Sequence, residues 1–193
     1  MPEGEEHDSP MTLGDHLAES LATLGDDPSE EALTTLAQRY SYVFPDERAL
    51  ATIARVGPLV EMGAGTGYWA FRLRALGVDI IAIDQAPPDR ERPNRYHAPT
   101  PTWTEVIAGD ATQLSGHADR TLFLCWPPLY SSLGESLEYY GGDTIALIGD
   151  GGHRTARLSG LDTAFTRTDI VPVRALATPG VAATLSIWQR TPR

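Results

Sequence analysis

Apolar residues in this chain come in short blocks, and the spacing within the blocks alternates between helical and extended periods. Leu13, Leu17, Leu21 and Leu24 recur at helical spacing, with Thr12 placed to cap the first turn. Asp27-Pro28-Ser29 opens a second helix that carries Leu33, Leu36 and Tyr40 on one face. Residues 41–45 break the chain at Pro45, and Asp46 can cap a third helix over 47–54. An apolar strand then starts at Leu59. A helix over 69–76 ends at Gly77, and a second strand over 78–83 stops at Asp84. Residues 85–95 are too rich in proline and charge for a regular element, and residues 96–101 continue the loop. Strands are expected at 104–108, 121–125 and 143–148, with a helix over 133–140 and a short one around 155–164. Residues 169–175 and 182–188 alternate in polarity on either side of Thr178-Pro179-Gly180 and predict an antiparallel pair.

Five strands with helical crossovers followed by a hairpin describe an α/β domain with a buried, mostly parallel sheet. Ligands in such sheets sit beyond the carboxyl ends of the strands, where the strand order reverses. The chemically informative residues fall at those ends: Glu61 to Gly67, Asp84, Asp110, Trp126 to Tyr130, and Asp150 to His153.

The first strand runs into Glu61-x-Gly63-x-Gly65-x-Gly67, and Asp84 follows 21 residues after Gly63. Strand, glycine turn, helix, strand and acid make a nucleoside-binding βαβ unit, with Asp84 placed to reach ribose hydroxyls. A dinucleotide fingerprint needs glycine at its sixth position, where this chain has Tyr68. A carboxylate at Glu61 repels phosphate and attracts ammonium. The spacing therefore disfavours an NAD(P)-dependent oxidoreductase.

Charge narrows the functional classes further. The chain has 193 residues and a net charge of −11, but residues 1–31 hold ten acids and no arginine or lysine. The rest is nearly balanced, 16 acids against 15 arginines, and the whole chain lacks lysine. Walker-A phosphate binding and lysine-based catalysis are thereby excluded, and no basic stripe supports nucleic-acid binding. One cysteine, Cys125, precludes an internal disulfide and suits the cytoplasm. No apolar run is long enough to span a membrane, and no metal-ligand spacing is evident. The expected organisation is an acidic disordered tail at 1–10, a helical extension at 11–45 that either packs or acts as a lid, and a nucleoside-binding domain at 46–193.

The pattern Glu61-x-Gly63-x-Gly65-x-Gly67 resembles the first motif of class I S-adenosylmethionine (SAM) methyltransferases, and the resemblance covers about residues 40–190. The strand end Leu124-Cys125-Trp126-Pro127-Pro128 is similar to one in a group of largely uncharacterised bacterial proteins. The resemblance implies a Rossmann-like fold with helices on both faces. Its sheet has seven strands in the order 3-2-1-4-5-7-6, the seventh antiparallel. It also implies SAM as cofactor. Gly63, Ala64, Gly65 and Gly67 would pass its methionine part, and Glu61 would face its amino group. Asp84 with Gln85 would hold the ribose, and Asp110, Ala111 and Trp126 would complete the set around adenine.

The acceptor side departs from the amino-directed members of that family. They carry a polar residue before Pro-Pro; this chain has Trp126, whose indole can only donate. Methylation of nucleic-acid bases is disfavoured accordingly. Tyr42, Trp126, Pro127 and Tyr130 are expected to wall an acceptor pocket suited to a small molecule, a natural product or a peptide side chain. His97 and His153 are the candidates for a general base, with Asp150 as an alternative; His7, His16 and His117 are poorly placed. The leading reading is methyl transfer to an oxygen or nitrogen nucleophile. A SAM-binding protein with other work, such as a cyclase or a binding partner in a complex, stays open.

Overall fold

The computed structural model describes residues 15–94, 96–97, 99–127, 132–150, 160–176 and 181–192. Two N-terminal helices, α1 (Asp15–Thr23) and α2 (Glu30–Arg39), precede a short strand β1 (Val43–Phe44) and α3 (Glu47–Ala54). Next come β2 (Leu59–Met62), α4 (Tyr68–Ala75), β3 (Ile80–Asp84), β4 (Ile107–Ala108) and a 3₁₀ turn at Ala111–Gly116. The remainder is β5 (Thr121–Cys125), α5 (Ser132–Tyr139), β6 (Thr144–Gly149), α6 (Leu161–Ala164), β7 (Phe165–Ala175) and β8 (Ala183–Arg190). Among the described residues no helix is long and apolar enough to cross a membrane.

All eight strands join one sheet in the order β1-β7-β8-β6-β5-β2-β3-β4. Strands β2 to β6 are mutually parallel, and β8, β7 and β1 add antiparallel pairings at one side. With β1 set aside, the other seven strands numbered along the chain lie in the order 3-2-1-4-5-7-6, as the resemblance implied.

Local chemistry starts the helices where the sequence pattern placed them. Ser29 accepts from the Ala32 amide at the start of α2, and Asp46 accepts from the Ala49 amide at 2.8 Å to start α3. Strand β5 carries Leu122, Phe123 and Leu124, all fully buried, as a strand covered on both faces must. Two core layers result. Leu50, Ile53, Trp69 and Leu73 from α3 and α4 meet Leu59 and Phe123 on one face. Leu114, Leu133, Tyr140 and Leu161 meet Val60, Leu122 and Leu124 on the other.

Three sequence expectations are revised. Residues 41–45, read as a break, contain β1, which pairs with β7 through Val43 and Ala175; burial of Val43 holds it there. The strand expected over 104–108 is reduced to Ile107–Ala108. Arg74 of α4 donates to the Thr104 hydroxyl and the Glu105 carbonyl, and Trp103 N–H bonds the Thr66 carbonyl. These bonds draw residues 103–105 towards α4 and its preceding turn. Strand β7 begins at Phe165 rather than near 169, because Phe165 pairs with Arg190 of β8 and lies under its guanidinium. Of the helix expected around 155–164, residues 155–159 lie outside the described residues, and α6 is its end.

The N-terminal helices pack on the start of α4. Leu17, Ala37, Tyr40, Tyr68 and Leu176 form a third buried cluster, and Tyr40 stacks on Trp103 with ring centroids 4.9 Å apart. The fold's centre is the edge-to-face contact of Trp69 with Phe123, at 5.5 Å. Replacing Phe123 by alanine is expected to lower stability by about 3–5 kcal/mol in urea unfolding, the usual cost of emptying a close-packed aromatic site.

Candidate functional site

Crossovers leave β2 in opposite directions, with β3 on one side and β5 on the other. A cavity of about 630 Å³ opens beyond the carboxyl ends of these strands, at the point of reversal. That volume is in the range of small-molecule sites.

The turn after β2 forms the floor. The Gly63 and Ala64 amides both bond the Ile83 carbonyl, at 2.8 and 3.0 Å. The Gly65 amide donates to Asp84 Oδ2 at 2.8 Å, which ties the turn to the end of β3. Gly65 has φ +55°, and the imidazole of His97 fills the space a side chain would take, with two ring carbons 3.0 Å from an ideal Cβ. Gly67 has φ +74° at the N-cap of α4, and a Cβ there would stand 2.7 Å from Val106 Cγ2. Glycine is thus needed at both positions by backbone angle and by space.

Three carboxylates lie around this turn, each in different surroundings. Glu61, at the end of β2, is 1 % exposed, faces the cavity, and its Oε2 has no hydrogen-bond partner. Burial, helped by the nearby Asp84 charge, pushes its carboxyl up from 4.5 to about 8. Asp84 is also buried, but its oxygens accept from Gly65 N–H, Ala86 N–H and the Asn94 side chain. A carboxylate offers about four lone-pair directions, so with three donors in place Asp84 keeps room for one ligand hydroxyl. Asp110 is exposed at the start of the 3₁₀ turn, where the hydroxyl and amide of Thr112 bond its side chain and hold its pKa below the usual carboxylate range.

One side of the cavity is flanked by a strap. Its described residues, 94, 96–97 and 99–103, reach back to the end of α2: the Tyr42 hydroxyl donates to the Tyr96 carbonyl at 2.5 Å, and Trp103 Nε1 donates to the Arg39 carbonyl. His97 sits edge-on to Tyr42, with Nδ1 3.3 Å from the Gln38 carbonyl. A carbonyl partner assigns the proton to Nδ1 and leaves Nε2 as an acceptor. Burial lowers the His97 pKa, so the ring is neutral at pH 7. On the far side Trp126 adopts φ +54°, uncommon for a bulky residue, while its amide bonds the Ile148 carbonyl of β6. Behind it, burial pushes the Cys125 thiol up and disfavours the nucleophilic thiolate.

The cavity therefore gathers most residues singled out in the sequence. Glu61, Gly63, Ala64, Asp84 and Gln85 line its strand-end floor. Tyr42 and His97 line the strap side; Asp110 and Ala111 follow β4 on one side of β2, and Trp126 and Pro127 follow β5 on the other. Gly65 and Gly67 lie behind the lining, the first under His97 and the second under Val106. Tyr130 and His153 lie outside the described residues. Asp150 is described but does not line the cavity; His16 packs against Trp103 instead. Sequence reasoning missed Ser41, which accepts from the Trp69 indole, and also Asn94, Tyr96, Glu135 and Ser136. Proximity to Tyr42 and His97 in the chain could have flagged Ser41 and Tyr96. No sequence signal marked the two residues of α5.

No protein-family model matches the chain, and no curated protein matches it. Solved structures do. Magnesium protoporphyrin IX methyltransferase from Synechocystis PCC 6803, with bound S-adenosylhomocysteine (SAH), aligns at 10 % identity and TM-score 0.52, covering 93 % of this chain and 96 % of that one. A Thermoplasma acidophilum protein aligns at 15 % identity and TM-score 0.52, covering 85 % and 98 %. The fold is the Rossmann-like fold of class I methyltransferases.

The buried Glu61 has a measurable consequence. Its pKa is higher in the folded than in the unfolded chain, so ionisation opposes folding as pH rises from about 4.5 to 8. Glu61→Gln should match wild type near pH 4.5 and gain on it by roughly 1.4 kcal/mol per pH unit above that, levelling off past pH 8. Urea unfolding of the ligand-free proteins across that range is the check.

Proposed function

We propose that the chain is a SAM-dependent methyltransferase acting on a small molecule, natural product or peptide. The observation that carries this reading is the unpartnered Glu61 Oε2, nearly fully buried yet facing a cavity beside a glycine turn. A buried carboxylate without a partner is costly, and an ammonium would make good the loss. A pyrophosphate there would meet repulsion.

The residues present fit SAM in the remaining respects. Asp84, with Gln85 beside it, would hold the ribose. Asp110 and Ala111 would meet the adenine edge, and Trp126 would cover it. Gly63 and Ala64 would lie along the methionine part; Gly65 and Gly67 would shape the turn from behind. When bound, SAM supplies a methyl group on a sulfonium sulfur, which keeps the bond's electron pair as the carbon passes to an acceptor lone pair.

The chain's contribution is alignment, exclusion of water and removal of a proton. Holding the acceptor in line can be worth roughly 7–11 kcal/mol. The strap, pinned to the end of α2 through Tyr96 and Trp103, would shield that geometry and give the N-terminal helices a lid role. His97, neutral and held through Nδ1, is the candidate to take the acceptor's proton; its Nε2 rests against Gly65, so the ring would have to turn towards the acceptor to do so.

Two measurements test the reading. Calorimetric titration with SAH at pH 7 should show binding with release of up to one proton, since Glu61 is protonated in the free protein and ionises against the ligand's ammonium. Affinity should rise from pH 6 to 8, and Asp84→Ala should weaken it by about 1.5–3 kcal/mol. Incubation with labelled SAM and candidate acceptors should then transfer label. Binding without transfer under any acceptor would favour a SAM-binding protein of other activity. NAD binding with no SAH binding would overturn the proposal.

A further inference from the structure

The charge of the cavity wall has a bearing on the acceptor. Four carboxylates line it, Glu61, Asp84, Asp110 and Glu135, and no arginine does among the described residues. The chain has no lysine to supply a cation from elsewhere. Among the described arginines, Arg120 is held by Asp79, Arg190 by Gly142 and Arg55 by Asp169, while Arg74, bonded to Thr104 and Glu105, is near enough to act on the Glu61 carboxyl from behind the lining. His97, the one imidazole in the lining among the described residues, is neutral through burial. A nucleoside sulfonium with its amino acid group adds one net positive charge, which offsets Glu61 once that group ionises. Asp84, Asp110 and Glu135 remain. Among the described residues of the lining, carboxylate or phosphate on an incoming acceptor would meet like charge and no arginine, in a partly dry space where repulsion is weakly screened. A neutral or cationic acceptor meets the opposite: carboxylates for a cation, and the rings of Tyr42, Tyr96 and Trp126 for a cation or an aromatic frame.

We propose that the methyl acceptor is an uncharged or positively charged molecule on an aromatic or apolar frame, and that the cavity rejects acceptors bearing carboxylate or phosphate. The inference rests on the methyltransferase reading, and it assigns the charge class of the substrate.

Cys125, the only cysteine, lines the same cavity and can report its field without a known acceptor. The probes are three methanethiosulfonates: the trimethylammonium-ethyl, the sulfonatoethyl and the uncharged methyl reagent. Modification rates are measured by mass spectrometry at pH 8.5 for the folded chain and for the same chain in urea. The cationic-to-anionic rate ratio should be at least tenfold larger in the folded chain. Glu135→Gln should cut that ratio severalfold; Glu138→Gln, exposed on the same helix, should leave it unchanged and so removes the general acidity of the chain as the cause. A folded ratio equal to or below the unfolded one overturns the proposal. So does modification by the uncharged reagent without modification by the cationic one; protection from all three is what the raised thiol pKa alone would give, and the library screen then decides. Saturating SAH is a separate arm: if it neither binds nor alters the rates, the methyltransferase reading fails while the field measurement stands. A second readout is a balanced library of aromatic cations, neutrals and anions screened against the SAH-loaded protein by mass spectrometry. Anions should be at least tenfold under-represented among binders, and equal representation would contradict the proposal.

Discussion

One hydrogen bond organises this site: the Gly65 amide donating to the buried carboxylate of Asp84. It joins the turn after β2 to the tip of β3, so two parallel strands end as one surface. Asp84 also accepts from Ala86 and Asn94, and so sets the direction in which the chain leaves β3. The left-handed backbone at Gly65 presents its N–H to that carboxylate, and the missing Cβ lets His97 close over it. Remove the carboxylate and the turn, the exit of β3 and the base of the strap lose a common anchor. Charge-assisted bonds of this kind are about twice as strong as neutral ones, which suits a group with three dependants.

Glu61 is the counterpart of Asp84. The two acids lie close enough to influence each other, yet one is satisfied by backbone amides and the other keeps a bare oxygen. A chain selected only for stability would have a glutamine or an apolar residue at the end of β2. Keeping an unpartnered acid there trades stability for a preformed site, the usual compromise where a ligand supplies the missing partner.

The sheet was legible in the sequence because its signals are local. Ser29 and Asp46 cap helices through their own side chains, and the apolar runs at 59–62 and 121–125 are buried on both faces. The cavity end of the sheet was legible for the same reason: Glu61 and Asp84 lie in the last residues of their strands, and the glycines, Asp110 and Trp126 come just after strands. What the sequence concealed depends on distant partners. β1 is two residues long and exists because β7 extends far enough to pair with it. Strand β4 was overestimated because Arg74, thirty residues away, draws Thr104 and Glu105 off the sheet. The strap looked like a proline-rich loop. Nothing in its composition says that Tyr96 receives the Tyr42 hydroxyl or that His97 covers Gly65.

The strap also explains how a helical extension becomes part of the site. Tyr40 stacks on Trp103, the Thr66 hydroxyl bonds the Tyr40 carbonyl, and Trp103 bonds the carbonyls of Thr66 and Arg39. Helix α2, the glycine turn and the strap thus share one knot of aromatic and backbone contacts. Over the cavity, the Tyr42 hydroxyl bonds the Tyr96 carbonyl at 2.5 Å and His97 Nδ1 lies 3.3 Å from the Gln38 carbonyl. The segment that packs on α2 therefore also covers the floor formed by Glu61 and Asp84, and a change in the packing of α2 would be felt at that floor.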